Sequence, residues 1–222
     1  MRSSPSIPAR GVLIAIAVLL APAASAQDGQ PQPSLGIGLE VRSYPHLVRI
    51  AGSPVFRDPR AAANYFFYDG LFWVYRDDAW YSSAWYNGPW QGTEPDLVPL
   101  FVLRIPLRYY RQRPAAFAGW RPDAPPRWSE RFGRAWAGRH PGWERVDPRE
   151  VPPPAPLPVY QQQFRGERYP QGPEEQHDVR TELYRHEPLE AITRERFEPR
   201  DLPQPARAAS DEAAGSRTQP RA

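Results

Sequence analysis

The apolar positions of the chain fall into blocks divided by short polar punctuation. The densest block, residues 64–90, reads NYFFYDGLFWVYRDDAWYSSAWYNGPW. Its runs of Tyr, Phe, Trp and Val suit pleated strands, where aromatic and branched side chains pack well. The punctuation is Asp69-Gly70, Asp77-Asp78 and Asn87-Gly88. Asp-Gly and Asn-Gly pairs favour type I′ turns, whose central residues need positive φ. The spacing predicts a four-stranded antiparallel meander over 65–68, 71–76, 79–86 and a short 89–92. Pro89 is tolerable there only because it opens an edge strand.

Two-residue turns fix the register, so each face can be assigned. Pairing Tyr68 with Leu71 puts Phe66, Tyr68, Leu71 and Trp73 on one face. Pairing Arg76 with Ala79 extends that face through Tyr75, Trp80 and Ser82 to Ala84 and Tyr86. The other face receives Tyr65, Phe67, Phe72, Val74, Tyr81, Trp85 and Trp90. A sheet with one wetted face alternates apolar with polar residues. This one is aromatic on both sides, so either both are covered or one is a binding surface.

Covers for the sheet lie in the flanking sequence. Residues 97–107 are the most apolar stretch beyond the N-terminal run, and Pro99 and Pro106 limit them to a helical turn or a short strand. Residues 39–42 and 47–50 read as two further short strands. Downstream, Asp123 can cap a helix with Pro125 and Pro126 in its first turn. Trp128, Phe132 and Trp136 then recur every four residues as one apolar stripe, which Gly138 and Pro141 end. The fold class predicted is a small β-rich (α+β) domain: an antiparallel aromatic meander with one short C-terminal helix, over residues 35–145.

The ends of the chain read differently. Residues 1–26 have a positive start at Arg2 and Arg10, ten unbroken apolar residues at 12–21, and the small residues Ala24-Ser25-Ala26. This is the pattern of a cleaved secretory signal, too short to span a bilayer comfortably. It predicts Gln27 as the mature N-terminus, export to the periplasm by the general secretory route, and no transmembrane helix after processing. With no Cys anywhere, neither a lipid anchor at the cleavage site nor a disulfide is available. Residues 27–34 are polar and read as disordered. Residues 146–158 read as a Pro-rich linker, and residues 159–222 as a mostly disordered Pro/Gln/Arg-rich tail, since no periodic apolar face runs through them. Within that tail, 174–187 has the composition of a lone helix fenced by prolines.

Charge sharpens the picture. All 28 basic residues are Arg, and the mature chain would carry 26 Arg against 25 acids, leaving no global footprint for nucleic acid. The distribution is uneven: residues 101–150 carry 11 Arg and 5 acids. Arg108, Arg111 and Arg113 interleave there with Tyr109 and Tyr110. Guanidinium forks pair with carboxylate and phosphate and stack on rings. The sequence therefore offers one composite binding surface: Tyr81, Trp85 and Trp90 from the aromatic block, with Arg108, Tyr109, Arg111 and Arg113. Partners suited to it are envelope polysaccharide, lipopolysaccharide or another envelope protein.

The blocks YFFYDGLFWVY, WYSSAWYNGPW, VPLFVLRIPLRYYR and GWRPDAPPRW resemble a family of uncharacterised exported proteins of Gram-negative proteobacteria. The likeness spans residues 44–169. It implies a non-lipidated periplasmic product and brings no catalytic residue, cofactor or substrate.

Catalytic chemistry has little support in the residues. None of His46, His140, His177 and His186 lies at the i, i+4 spacing of a helical zinc pair or is followed by the carboxylate pattern of a metalloprotease, and no phosphate loop or nucleophile elbow occurs. Asp77-Asp78 is an acidic pair flanked by rings, which suits either a glycosidase or a turn. The expectation is an exported, non-enzymatic envelope protein whose aromatic β-domain is a binding or structural module, with no catalytic residue, cofactor or metal. The alternative is a cell-wall glycan hydrolase.

Overall fold

A computed structural model describes residues 37–197. The expected signal (1–26), the polar segment 27–34 and the last part of the expected tail (198–222) lie outside the described residues. Six strands follow in chain order across one antiparallel sheet: β1 (Val48–Arg49), β2 (Phe56–Arg57), β3 (Asn64–Tyr68), β4 (Leu71–Arg76), β5 (Ala79–Ser83) and β6 (Gln91–Thr93). The fold is a small β-rich α+β meander with short helices.

The two tight turns set the register the sequence predicts, Tyr68 opposite Leu71 and Arg76 opposite Ala79. Asp69 (φ 49°), Gly70 (φ 87°), Asp77 (φ 49°) and Asp78 (φ 58°) all occupy the left-handed region. Gly70 has a second reason to be glycine. A Cβ there would lie 2.4 Å from Phe197 Cζ and 3.0 Å from His186 Cδ2.

Alternation along these strands divides the rings into two cores. Phe66, Tyr68, Leu71, Trp73, Tyr75 and Trp80 join the cluster on one face. It is closed by α1 (Leu100–Leu103), α2 (Trp128–Phe132) and α3 (Arg134–Arg139). The predicted single helix is thus two, broken at Gly133 (φ 87°). The stripe survives the break: Trp128 stacks on Phe132 at 5.0 Å, and Phe132 meets Trp136 edge-on at 5.2 Å. Asp123 does not cap α2, which begins only at Trp128 with Arg127 at its N-cap; its carboxylate pairs instead with Arg108. Trp73 is fully buried at the centre of this face. Trp73→Ala is expected to cost about 3–5 kcal/mol, the range for truncating a buried large ring, read from urea denaturation. A loss below about 1 kcal/mol would show that the ring is not core.

The second face holds Tyr65, Phe67, Phe72, Val74, Trp85, Tyr86 and Trp90. Tyr86 was expected on the first face, and β5 was expected to run to it. Instead β5 ends at Ser83, whose hydroxyl accepts from Trp85 N at 3.0 Å. The buried Gln161 amide then takes over the backbone: Nε2 donates to Ala84 O (2.9 Å) and Oε1 accepts from Tyr86 N (3.1 Å). Released from strand alternation, Trp85 and Tyr86 both turn to the second face. Asn87 consequently does not form the first position of a type I′ turn; its side chain accepts from Val41 N at 2.6 Å. Residues 39–42 are therefore tied to this loop and are not a strand, whereas β2 went unforeseen.

The largest departure is at the C-terminal side. Residues 159–197, expected to be mostly disordered, wrap the sheet, and the Pro-rich 146–158 does not act as a free spacer, since Ala155 and Leu157 pack on the second cluster. Tyr160, Phe164 and Tyr169 meet the Trp85 ring edge-on at 5.8, 5.4 and 5.7 Å. Helix α4 (Pro173–Leu183) starts with proline at its first position, where the missing N–H costs nothing. Its Gln176 donates to Gly88 O and Pro170 O, and Gln176 O accepts from Trp85 Nε1. The chain then passes the β3–β4 turn, and α5 (Ala191–Phe197) returns Phe197 to the first cluster. Isolated aromatics cannot build a core alone, which is why composition suggested disorder. Set on an uncovered aromatic sheet face, each one finds a partner.

Candidate functional site

The residues of the predicted composite surface do not come together. Trp85 and Trp90 are buried in the second cluster, and Tyr81 is half-buried against the same cluster. Tyr109 packs on the edge of the opposite cluster. The aromatic half of the predicted surface is therefore core, covered by a segment that the sequence pattern had set aside.

The arginine half is exposed and held firmly. A helical turn at Leu107–Tyr109 begins the loop. Leu107 N and Arg108 N donate to Ala124 O (3.1 Å) and Pro122 O (2.8 Å). Tyr110 is buried, its ring 5.3 Å from Phe66, and burial pushes its phenol well above the ordinary value. The buried Asn64 side chain clamps the next residue in both directions: Nδ2 donates to Gln112 O (2.9 Å) and Oδ1 accepts from Gln112 N (2.9 Å). With Leu107, Tyr110 and the Gln112 backbone anchored, Arg108, Arg111 and Arg113 face solvent. Arg57 of β2 and Arg108 both lie over the Tyr109 ring, at 5.3 and 4.9 Å. Arg108 also pairs with the exposed Asp123. Among the described residues, no ion pair or hydrogen bond involves the side chains of Arg57, Arg111 or Arg113.

A second polar constellation was missed. Asp69, which the Asp-Gly motif marks only as a turn residue, is buried and carries a full set of partners. Its carboxylate accepts from Leu189 N (2.9 Å) and Glu190 N (3.0 Å) and meets His186 Nε2 at 3.1 Å. The neighbouring Tyr68 hydroxyl donates to Glu190 Oε1. Burial alone would raise the Asp69 pKa, but the hydrogen bonds from His186, Glu190 N and Leu189 N together outweigh it and hold the pKa below the ordinary value. Glu190 goes the other way: burial raises it, the nearby Asp69 charge adds to this, and the Tyr68 hydrogen bond offsets it only in part. The cluster fastens the C-terminal segment to the β3–β4 turn. No local signal distinguishes such an aspartate from any other turn aspartate, because its partners are more than a hundred residues away.

The structure also places the other candidates. Asp77 and Asp78 point to solvent; Asp77 pairs with Arg76 (3.3 Å), and Asp78 accepts from the Tyr75 hydroxyl (3.0 Å) and faces Arg131 at 3.5 Å. His140 stacks on Trp136 at 4.4 Å, and His177 lies beside Arg180. Among the described residues, no three His, Asp or Glu side chains gather as metal ligands, and no helix is long and apolar enough to cross a membrane. Comparison of the chain with protein-family models, with curated proteins and with solved structures finds no match.

Proposed function

We propose that the protein is an exported, non-enzymatic component of the cell envelope, in which the aromatic β-domain is a rigid scaffold and its arginine loop is the contact surface. The observation that supports this reading is where the chain spends its rings. Both sheet faces are filled by its own residues, while guanidinium groups on a well-anchored loop are left to solvent. Buried aromatic packing of this kind suits a stable platform, and loops held by a rigid scaffold are where binding residues concentrate. The leader-like pattern of residues 1–26 supplies the destination.

Expression of the full chain in a Gram-negative host, followed by osmotic-shock fractionation and N-terminal sequencing, tests the reading. The expected product begins at Gln27 and is recovered from the periplasm. An unprocessed chain retained in the cytoplasm would refute the location.

A further inference from the structure

We infer that Arg57, Arg108, Arg111 and Arg113 form one docking ridge for the phosphate headgroups of an anionic lipid surface. Arg57 comes from the sheet, fifty residues before the loop, and no feature of the sequence links it to the other three. What joins them is Tyr109. The Arg57 and Arg108 guanidinium groups both lie over its ring, at 5.3 and 4.9 Å from the centroid, so one side chain gathers a β2 residue and a loop residue. Arg111 and Arg113 follow in the same exposed loop, flanking in sequence the Gln112 that Asn64 clamps.

Charge balance favours an external anion. Among the described residues, only Arg108 of the four arginines has a carboxylate partner, Asp123. Asp58, next to Arg57 in the chain, accepts from Arg60 N at 2.8 Å and His46 N at 3.3 Å and makes no ion pair among the described residues. The exposed guanidinium groups therefore keep donor capacity for anions that the described part of the protein does not supply. Guanidinium matches phosphate bidentately and is more weakly hydrated than an ammonium group, so it loses less on leaving bulk water. The shape of the site selects the kind of anion. The forks lie along an exposed loop, with Arg108, Arg111 and Arg113 all exposed. Such a ridge meets several phosphates spread over a surface better than it encloses one free ion. Tyr109, half-buried and carrying a hydroxyl that accepts from Arg108 at 3.1 Å, has the amphipathic character that settles at a headgroup boundary. The ridge gives the proposed envelope scaffold its ligand and rests on that reading for its biological setting, but its chemistry is testable without it.

The purified chain should sediment with phosphatidylglycerol-containing vesicles at low salt and not with neutral phosphatidylcholine vesicles. Each basic residue at a lipid surface is worth roughly a fivefold change in affinity. The Arg108→Gln/Arg111→Gln/Arg113→Gln variant should therefore lose about two orders of magnitude, and Arg57→Gln alone about fivefold. Binding should weaken steeply with added salt, since exposed charges are screened beyond about 8 Å at physiological ionic strength. Millimolar inorganic phosphate should compete poorly; full displacement by it would point to a single-ion site and overturn the lipid assignment. If the triple variant proves unstable because Arg108 braces Tyr109 and Asp123, Arg111→Gln/Arg113→Gln serves instead, since neither side chain has a protein partner among the described residues. Absence of binding at low salt, or equal binding by the folded double variant, would overturn the proposal. Vesicle binding by a chain that fails the export test would leave the ridge standing and remove its envelope setting.

Discussion

A chain ended after Pro158 is expected to lose its cooperative fold. The missing segment supplies Tyr160, Phe164 and Tyr169, which ring Trp85, and Gln161, which satisfies the backbone at Ala84 and Tyr86. Without them Trp85 and Tyr86 face water, and the burial of Tyr160, Phe164 and Tyr169 themselves is lost. Each large side chain returned to solvent costs about 1.5–3 kcal/mol. Four or five of them amount to much of the roughly 5–15 kcal/mol that holds a domain together. Urea titration followed by tryptophan fluorescence should show no sigmoidal transition for the truncated chain, or one weakened by at least about 5 kcal/mol. An unchanged midpoint would mean that residues 159–197 contribute nothing to the core.

Asp69→Ala is expected to be the most damaging single polar substitution, at about 3–5 kcal/mol. It strands the Leu189 and Glu190 amides and the His186 ring nitrogen in a buried site, and each unsatisfied buried donor costs about 1–3 kcal/mol. It also places alanine at φ 49°, a conformation that aspartate and asparagine tolerate better. Asp69→Asn keeps the turn and an acceptor oxygen, so it should cost less. The two carboxylates of the cluster set the acid profile. The folded pKa of Asp69 lies below its ordinary 3.8, so its stabilisation is complete above that value and drains away as pH falls through the folded pKa. Glu190 has a folded pKa above its ordinary 4.5, so its contribution is greatest when protonated and declines as pH rises through 4.5 to the folded value. Stability should therefore fall on the acid side in the native chain and more shallowly in Asp69→Asn, while Glu190→Gln should flatten the decline above pH 4.5. Thermal melts from pH 2 to 7 measure both. A slope indifferent to Asp69→Asn would show that its carboxylate is not part of the lock.

The meander was legible because its determinants are local. Two-residue turns leave one register, and alternation then assigns Phe66, Trp73 and Trp80 to one face and Tyr65, Phe72 and Val74 to the other. The alternation argument stopped working at Ser83, where a hydroxyl and the distant Gln161 replaced ladder hydrogen bonds. That is why Tyr86 changed faces and the Asn87-Gly88 turn did not form. The doubly aromatic sheet did raise the right question, namely what covers its second face. The answer lay in single rings 70 to 100 residues downstream, spaced too irregularly to read as helix or strand. The arginine loop was visible as a charge excess in residues 101–150. Arg57 was not, because only the fold brings β2 beside Tyr109. Asp69 was hidden for the same reason: a turn aspartate looks alike in sequence whether water or a distant helix takes its carboxylate.

Amide hydrogen exchange across the β-strands and the 159–197 segment of the full chain is the most direct test of a sheet covered by its own C-terminal side. The amides of α4 and of Tyr169, whose N–H bonds Gly166 O at 3.1 Å, should exchange with protection approaching that of Phe66 and Trp73, because elements that share a core open together. Rapid exchange throughout 159–197 alongside protected strands would contradict it, and would return Trp85 and Trp90 to the surface.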